Sequence, residues 1–443
     1  MAMRALQLNA SSSDGGAARA AVRIHQALRC YGLHHQWSSG FRAISGDVST
    51  SDVTVGSPQG QKRLWRHLRP RLLQWRRRAW ATTNPALHSL AWPDTGLGHE
   101  LVAAHRLGLF QLLNLHWLGD STLSVEEVGR LGFPVVWTLH DQWAFSGAEH
   151  YAPLDQSISQ GMDGGRYAEG YTTSNCPSSE VGCDLNRWTW TRKRRSWINP
   201  MTLICPSAWM ASCVRQSALM ANWPCHVIPN PLDPQQWFPV RSDLARTALG
   251  LPLNTSLVLF GAMGGTQDPR KGADLLAQAL HCFAAECADL ETVPHLVVFG
   301  QRSQASSLDF GLPVHHLGHL HDDISLRLAY SAADVMVVPS RLDNLPNTAT
   351  EAMACGTPVV AFRAGGMEDI VNDGVNGRLA EPFDPEALAH CIAAVVLDPQ
   401  RQQSMGTEAR QQALTLWHPA RIAAAYAAVY AEVLSGFCDD QQR

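Results

Sequence analysis

Residues 340–366 read SRLDNLPNTATEAMACGTPVVAFRAGG, a run that passes from a polar loop through a short helical pattern into an apolar strand and a glycine pair. Pro346 suits the first turn of a helix, where its missing N–H would go unpaired anyway, and Gly356 suits the stop. The apolar stretch at Pro358–Phe362 reads as a strand buried on both faces, which is the pattern of a parallel sheet. Asp343 and Glu351 sit eight positions apart across this unit. In a fully helical segment that spacing is ~12 Å, and the free N–H groups at the helix start form a site for an anion. A plainer role also fits, with Asp343 in a loop turn and Glu351 on a solvated helix face.

Working outward, strand patterns recur at SLVLFGA, HLVVFG, VHHLG, VMVVPS and PVVAF, each followed by a helical pattern. An earlier series runs through RALQLNA, LFQLLNLHW, PVVWTLHD and MTLICPS, and RALQLNA leads through the loop SSSDGG into a helix from about Ala17 to Cys30. Alternating strands and helices predict parallel sheets covered on both faces. A Pro-rich passage, Pro229 to Pro239, separates the two series and reads as a link. The expected fold class is therefore α/β, with two doubly wound Rossmann-like domains facing a cleft and a C-terminal helix packing back toward the N-terminal domain. In such folds ligands sit outside the carboxyl ends of the strands.

Composition agrees with this division. At 443 residues the chain exceeds one ordinary core, so two domains of roughly 200 residues are expected. No unbroken apolar run reaches the ~18 residues that span a bilayer. The opening MAMRALQLNASSSDGG lacks the apolar region of a secretory signal, so a cytoplasmic location is the expectation. The 11 cysteines follow no disulfide framework and read as reduced thiols. Lys62, Arg63, Arg66, Arg69, Arg71, Arg76, Arg77 and Arg78 cluster without an acid, and removing these eight charges leaves the rest of the chain at -12. With Leu64, Leu68, Leu72 and Trp75 at helical spacing, residues 62–78 suit peripheral contact with an anionic membrane surface at the inner face of the cytoplasmic membrane; a solvated arginine face is the alternative. The negative overall charge and the lack of a recognised module exclude nucleic acid as a partner.

The run DNLPNTATEAMACGTPVVAF, with AGG just after it, resembles the signature of retaining glycosyltransferases of family 4, of the exopolysaccharide and colanic-acid type, which carry an E-x7-E pattern on the two-domain GT-B fold. The resemblance implies that Glu351 binds the ribose of a nucleotide sugar, UDP- or GDP-linked, and that Asp343, with Asn344 and Leu345 beside it, contacts the transferred sugar. Here an aspartate replaces the family's glutamate, shortening the reach by ~1.5 Å. Gly365 and Gly366 allow close backbone approach to the donor. The implied domains are 1–232, acceptor-side with a basic insertion at 41–98; 233–417, holding the nucleotide sugar; and 418–443, the helix that crosses back.

Lysine occurs only at Lys62, Lys193 and Lys271. Lys271, beside a glycine at a strand-to-helix junction in FGAMGGTQDPRKGADLL, invites a phosphate role, though a solvated Arg-Lys pair is also possible. By the resemblance it neutralises the leaving diphosphate, with Arg270 replacing the arginine the family carries where this chain has Ala262 and Met263. DGGAARA resembles the family's first glycine-rich loop, which puts Gly15 and Gly16 near the donor phosphates and Arg19 toward an acidic acceptor or water. NLHW and TLHDQW place His116, Trp117, His140, Asp141 and Trp143 at strand tips, and with His150 and Tyr151 they resemble the acceptor-side face. His140 is expected to contact the transferred sugar near the reacting centre, oriented by Asp141. For His116 a structural role is equally consistent with the pattern.

The expected reaction moves a sugar from a nucleotide diphosphate to a glycan or lipid-linked acceptor in exopolysaccharide or lipopolysaccharide assembly. Charge on the departing diphosphate is stabilised by Lys271, Arg270 and a helix N-terminus. No metal or cofactor is expected, because no ligand array of metal-binding spacing occurs. In a retaining enzyme the leaving phosphate takes the acceptor proton; in an inverting one Asp141 or His140 is the candidate base. Two alternatives stand beside this reading: a nucleotide-sugar epimerase on the same fold, and a non-catalytic sugar- or nucleotide-binding protein.

Overall fold

In the computed structural model, the described residues are 3–12, 15–45, 68–69, 71–73, 75, 88–119, 122–152, 165–178, 182–262, 268–287, 291–300, 308–320 and 322–442. They divide into two units, Met1–Asn230 with Ala420–Arg443, and Pro231–Pro419.

The first unit is built on six parallel strands, β1 (Met3–Ser11), β2 (Trp37–Ser45), β3 (Leu112–Leu115), β4 (Val135–Thr138), β5 (Thr202–Cys205) and β6 (Cys225–Val227), in the order β2-β1-β3-β4-β5-β6. The second has β7 (Leu257–Ala262), β8 (His295–Gly300), β9 (Val314–Gly318), β10 (Val335–Val338), β11 (Val359–Phe362) and β12 (Gly377–Ala380), again parallel, in the order β12-β11-β10-β7-β8-β9. Each sheet reverses its winding beside its first strand, between β1 and β3 in one unit and between β7 and β10 in the other. Loops leaving those neighbouring strands part in opposite directions and open a crevice, which is where open α/β sheets place ligands.

Three strands escaped the sequence reading. β2 is interrupted by Ser38, Ser39 and Gly40, and β6 and β12 are short and at sheet edges, so none presents a continuous apolar run. β2 also overlaps the start of the expected insertion at 41–98, since Phe41 is fully buried. Of the basic run 62–78, residues 62–67, 70, 74 and 76–78 lie outside the described residues, and with them most of the expected membrane contact. Arg69 donates from Nε to Pro93 O at 2.9 Å, while Trp75 is exposed.

The Pro-rich passage is packed rather than a free link. Leu232 and Trp237 belong to the core of the second unit, and Leu232 N–H donates to Trp417 O at 2.8 Å. The chain then returns through the helix Pro419–Gln442, whose Ile422, Ala423, Tyr426, Ala427 and Tyr430 bury against the first unit's sheet. Within Pro399–Asp439 one 18-residue window, with a mean hydropathy of 1.2, is apolar enough by length and composition to cross a membrane. Its apolar stripe at 422–430 is spent on the sheet.

On that same sheet face lies a polar line. Gln7 is paired in register with Asn114 on the neighbouring strand, and both, with Thr138, have no exposed surface. Tyr430 Oη receives Gln7 Nε2 at 3.2 Å and Asn114 Nδ2 at 2.9 Å, Asn114 Oδ1 accepts from Thr138 Oγ1 at 3.1 Å, and Tyr426 Oη lies 3.3 Å from that hydroxyl. Buried amides without partners cost about 1–3 kcal/mol each. Tyr430→Phe, which removes an acceptor shared by two amides, is therefore expected to lower stability by about 1–3 kcal/mol in chemical denaturation.

Candidate functional site

At the switch point of the second unit, two loops are forced together. After β7 the chain makes the turn Pro269–Lys271, capped by Asp268 Oδ1, which accepts Arg270 N–H at 3.0 Å. Gly272 follows at φ 67°, and a Cβ there would lie 1.9 Å from Pro339 O at the end of β10. Only glycine permits that approach. Arg341 then clamps the two loops, its N–H donating to Arg270 O at 2.7 Å and its guanidinium holding Asp274 at 2.7 and 2.6 Å. The third segment, after β11, is pressed in as well: a Cβ on Gly365 would fall 2.3 Å from Asp343 O, and Gly366 N–H donates to that oxygen at 2.9 Å.

These approaches bring Lys271 Nζ to 2.5 Å from Asp343 Oδ2, which also accepts from Ser340 Oγ at 3.2 Å. Arg270 is paired with Asp268 at 2.6 Å. Asn344 and Leu345, next to Asp343, are buried. Asp343 precedes the helix Asn347–Ala354, and Pro346 is its N-cap, so the two acids are not separated by continuous helix and the spacing of a fully helical segment does not apply. The solvated alternative for Glu351 fails: it is 1% exposed, and its Oε2 accepts from Tyr330 Oη at 2.9 Å. Tyr330 is itself held by Thr357 Oγ1 on its carbonyl at 2.7 Å and by the rings of Trp237 and Phe299. Burial, reinforced by the Glu351 charge, pushes the Cys355 thiol up to about 12.

The first unit gathers a second constellation past β3 and β4. His116, Trp117, His140, Asp141, Trp143 and His150 line one pocket. His116 Nε2 lies 3.0 Å from Gln7 Oε1, an acceptor, so that nitrogen carries the proton and Nδ1 accepts from His140 Nε2 at 3.0 Å. The polar line under the C-terminal helix thus sets the tautomers of both histidines. Burial lowers both imidazoles, His140 to about 4 despite Asp141 and His116 well below its ordinary value with the help of His140. His116 lines the pocket while 1% exposed, held between Gln7 and His140.

Asp141 Oδ2 takes a 2.6 Å hydrogen bond from His150 Nδ1, and His150 Nε2 lies 2.7 Å from Ser89 Oγ. Burial raises the Asp141 carboxyl, but the His150 charge and hydrogen bond and the Trp143 N–H outweigh it and hold the group below its ordinary value. The order Asp-His-Ser matches a nucleophilic triad, yet Ser89 does not line the pocket, so the chain orients His150 instead. Trp143 is 3% exposed, packs against Trp137 and Trp197, and donates from Nε1 to Ser89 O at 2.8 Å. It forms the floor rather than an open face. Arg19 and Tyr151, both half-buried, do not line this pocket. Gly15, at φ 97°, starts the helix Gly16–Tyr31, and Asn9 at the end of β1 accepts Trp117 N–H at 2.9 Å, which ties the glycine loop's strand to the pocket's.

Sequence reading passed over several supports. Lys193, fully buried, spends its ammonium protons on the carbonyls of Trp143, Ser146 and Gly147 and so fastens the loop that follows Asp141. Its scarcity was the one visible signal. Ser89, Gln7 and Tyr330 carried none, because their partners are distant in sequence.

Residues 255–398, inside the second unit, match the family model described as Glycosyl transferases group 1. A D-inositol 3-phosphate glycosyltransferase of Xylanimonas cellulosilytica is 37% identical over 224 residues, 47% of this chain and 51% of that protein. An alpha-maltose-1-phosphate synthase of Mycolicibacterium smegmatis is 31% identical over 231 residues, 47% of this chain and 57% of that protein. The chain thus matches about half the length of these curated relatives. Among solved structures, Anabaena HepE in complex with UDP-glucose aligns with TM-score 0.63 at 20% identity, over 98% of this chain and all of that one. WaaG, a glycosyltransferase involved in lipopolysaccharide biosynthesis, aligns with TM-score 0.58 at 14% identity, over 95% and 99%. The fold, two doubly wound parallel-sheet domains, is the GT-B fold of these structures.

Two outcomes are expected. A histidine whose native value is about 4 against 6.5 unfolded leaves the unfolded chain binding more protons between those values, so stability falls as pH drops through that window. His140 accounts for on the order of 2 kcal/mol between pH 7 and 5, and denaturation of His140→Asn should show a correspondingly shallower pH slope. Gly272→Ala, which drives a methyl into backbone, should cost about 2 kcal/mol or more in the same assay.

Proposed function

We propose that the protein is a glycosyltransferase that takes a sugar from a nucleotide-diphosphate donor on its second unit and passes it to a hydroxyl of an acceptor bound by its first. The observation that carries this is the contact of a cation, Lys271, with Asp343 on the loops of one switch point, followed in the next helix by the buried, hydrogen-bonded carboxylate of Glu351, all inside the stretch that matches Glycosyl transferases group 1. Carboxylates accept paired hydroxyls well, which suits Glu351 to a ribose diol. A fixed cation stabilises charge on a departing diphosphate without reorganisation. Asp343 and the backbone at Gly365 and Gly366 are assigned to the donor sugar and phosphates.

On the first unit, His140 is neutral at pH 7 and Asp141 ionised. An uncharged imidazole donates or accepts a hydrogen bond without repelling an electron-poor sugar carbon. The carboxylate can receive an acceptor hydroxyl. In this reading the reaction retains configuration, the leaving phosphate takes the acceptor proton, and no metal takes part. Assembly of surface polysaccharide in the cytoplasm is the proposed setting. The names of the relatives add phosphorylated polyols and sugars to the acceptors worth testing.

The test measures nucleoside diphosphate release from a panel of UDP- and GDP-sugars with glycan, lipid-linked and sugar-phosphate acceptors. Glu351→Ala and Lys271→Ala should each lower kcat/KM roughly 100-fold or more. Donor turnover that survives both substitutions would overturn the proposal, and epimerised donor without transferred product would point to the epimerase. Tyr330→Phe should raise the donor KM about threefold to tenfold with a smaller change in kcat, since it removes one hydrogen bond to Glu351.

A further inference from the structure

Lys271 and Asp343, the cation and the acid assigned to the two ends of the donor's reacting bond, are occupied with each other. Their side chains are 23% and 10% exposed, and the 2.5 Å contact uses the same Asp343 oxygen that accepts from Ser340. The neighbouring cations are engaged in other pairs, Arg270 with Asp268 and Arg341 with Asp274. The two backbones are tied at these close approaches, by Arg341 N–H on Arg270 O at 2.7 Å and by Gly366 N–H on Asp343 O at 2.9 Å. Any change of partner must come from the side chains. A lysine stem has four rotatable bonds and swings easily; an aspartate has two and does not reach far.

We infer that Asp343 is a built-in counter-ion that holds Lys271 in place until the donor's diphosphate displaces it, and that the released carboxylate then serves the hydroxyls of the donor sugar. This rests on the reading of the second unit as the donor site. Before donor arrives, each charge satisfies the other, and the site avoids an uncompensated half-buried ion. When a diphosphate arrives, its negative charge competes for Lys271 and repels Asp343 over a short, poorly screened distance. A free nucleoside diphosphate meets only that repulsion. A nucleotide sugar also offers hydroxyls to the displaced carboxylate, so the exchange favours the intact donor over the spent nucleotide and helps product leave.

The experiment is calorimetric titration of inorganic diphosphate, UDP, GDP and their glucose and mannose conjugates into wild type, Asp343→Asn, Asp343→Glu and Lys271→Ala. Asp343→Asn keeps the shape and removes the charge; it should bind inorganic diphosphate and the preferred nucleoside diphosphate about threefold to tenfold more tightly than wild type, while its preference for the sugar conjugate over the free nucleotide shrinks. Asp343→Glu restores the charge and should return both values toward wild type. If Asp343 merely braces Lys271, Asp343→Asn binds free nucleotide no tighter than wild type, and that result, or tight binding retained in Lys271→Ala, overturns the inference while leaving the donor reading standing. If no variant and no wild type binds any of these ligands, the donor reading itself falls, and the inference with it.

Discussion

Two missing methyl groups govern the second unit. Gly272 and Gly365 each stand where a Cβ would overlap a backbone carbonyl, at 1.9 Å from Pro339 O and 2.3 Å from Asp343 O. Because both positions lack that atom, the segments after β7, β10 and β11 meet at one point of the sheet's edge. The consequence is chemical as well as steric: backbone held that tightly places Lys271 against Asp343 without using flexible side chains to find the geometry.

The first unit reaches a comparable end by a different route. There the organising element is a chain of buried hydrogen bonds that begins on the C-terminal helix at Tyr430, runs through Gln7, and ends on His116 and His140. Each inner member accepts from one neighbour and donates to the next, so the tautomer of an imidazole in the pocket is tied to a tyrosine about three hundred residues away in the chain. Burial keeps those rings neutral. The return of the chain across the first sheet therefore contributes to the site as well as to the core.

The two units share a principle. Both put polar side chains beyond the carboxyl ends of the strands that flank the reversal of winding. That placement follows from topology, since only there do consecutive loops diverge and leave backbone groups facing a space instead of a neighbour.

Much of this was legible in the amino-acid order alone. Short β-branched apolar runs such as Val335–Val338 and Val359–Phe362, flanked by proline or glycine, read as strands buried on both faces, so the parallel sheets were readable, as were the loop glycines, the acids at 343 and 351, and the histidines at strand tips. Local pattern failed where a strand is short or polar, as at β2, β6 and β12, because edge positions need no apolar run. It could not say that Glu351 is buried under Tyr330, that Asp343 is bound to Lys271, or that Lys193 holds the loop beyond Asp141. Those facts depend on contacts between residues tens to hundreds of positions apart. Periodicity reports which face of an element is apolar; it carries no information about which distant element arrives on that face, and only the packing of the completed sheets decides which charges meet.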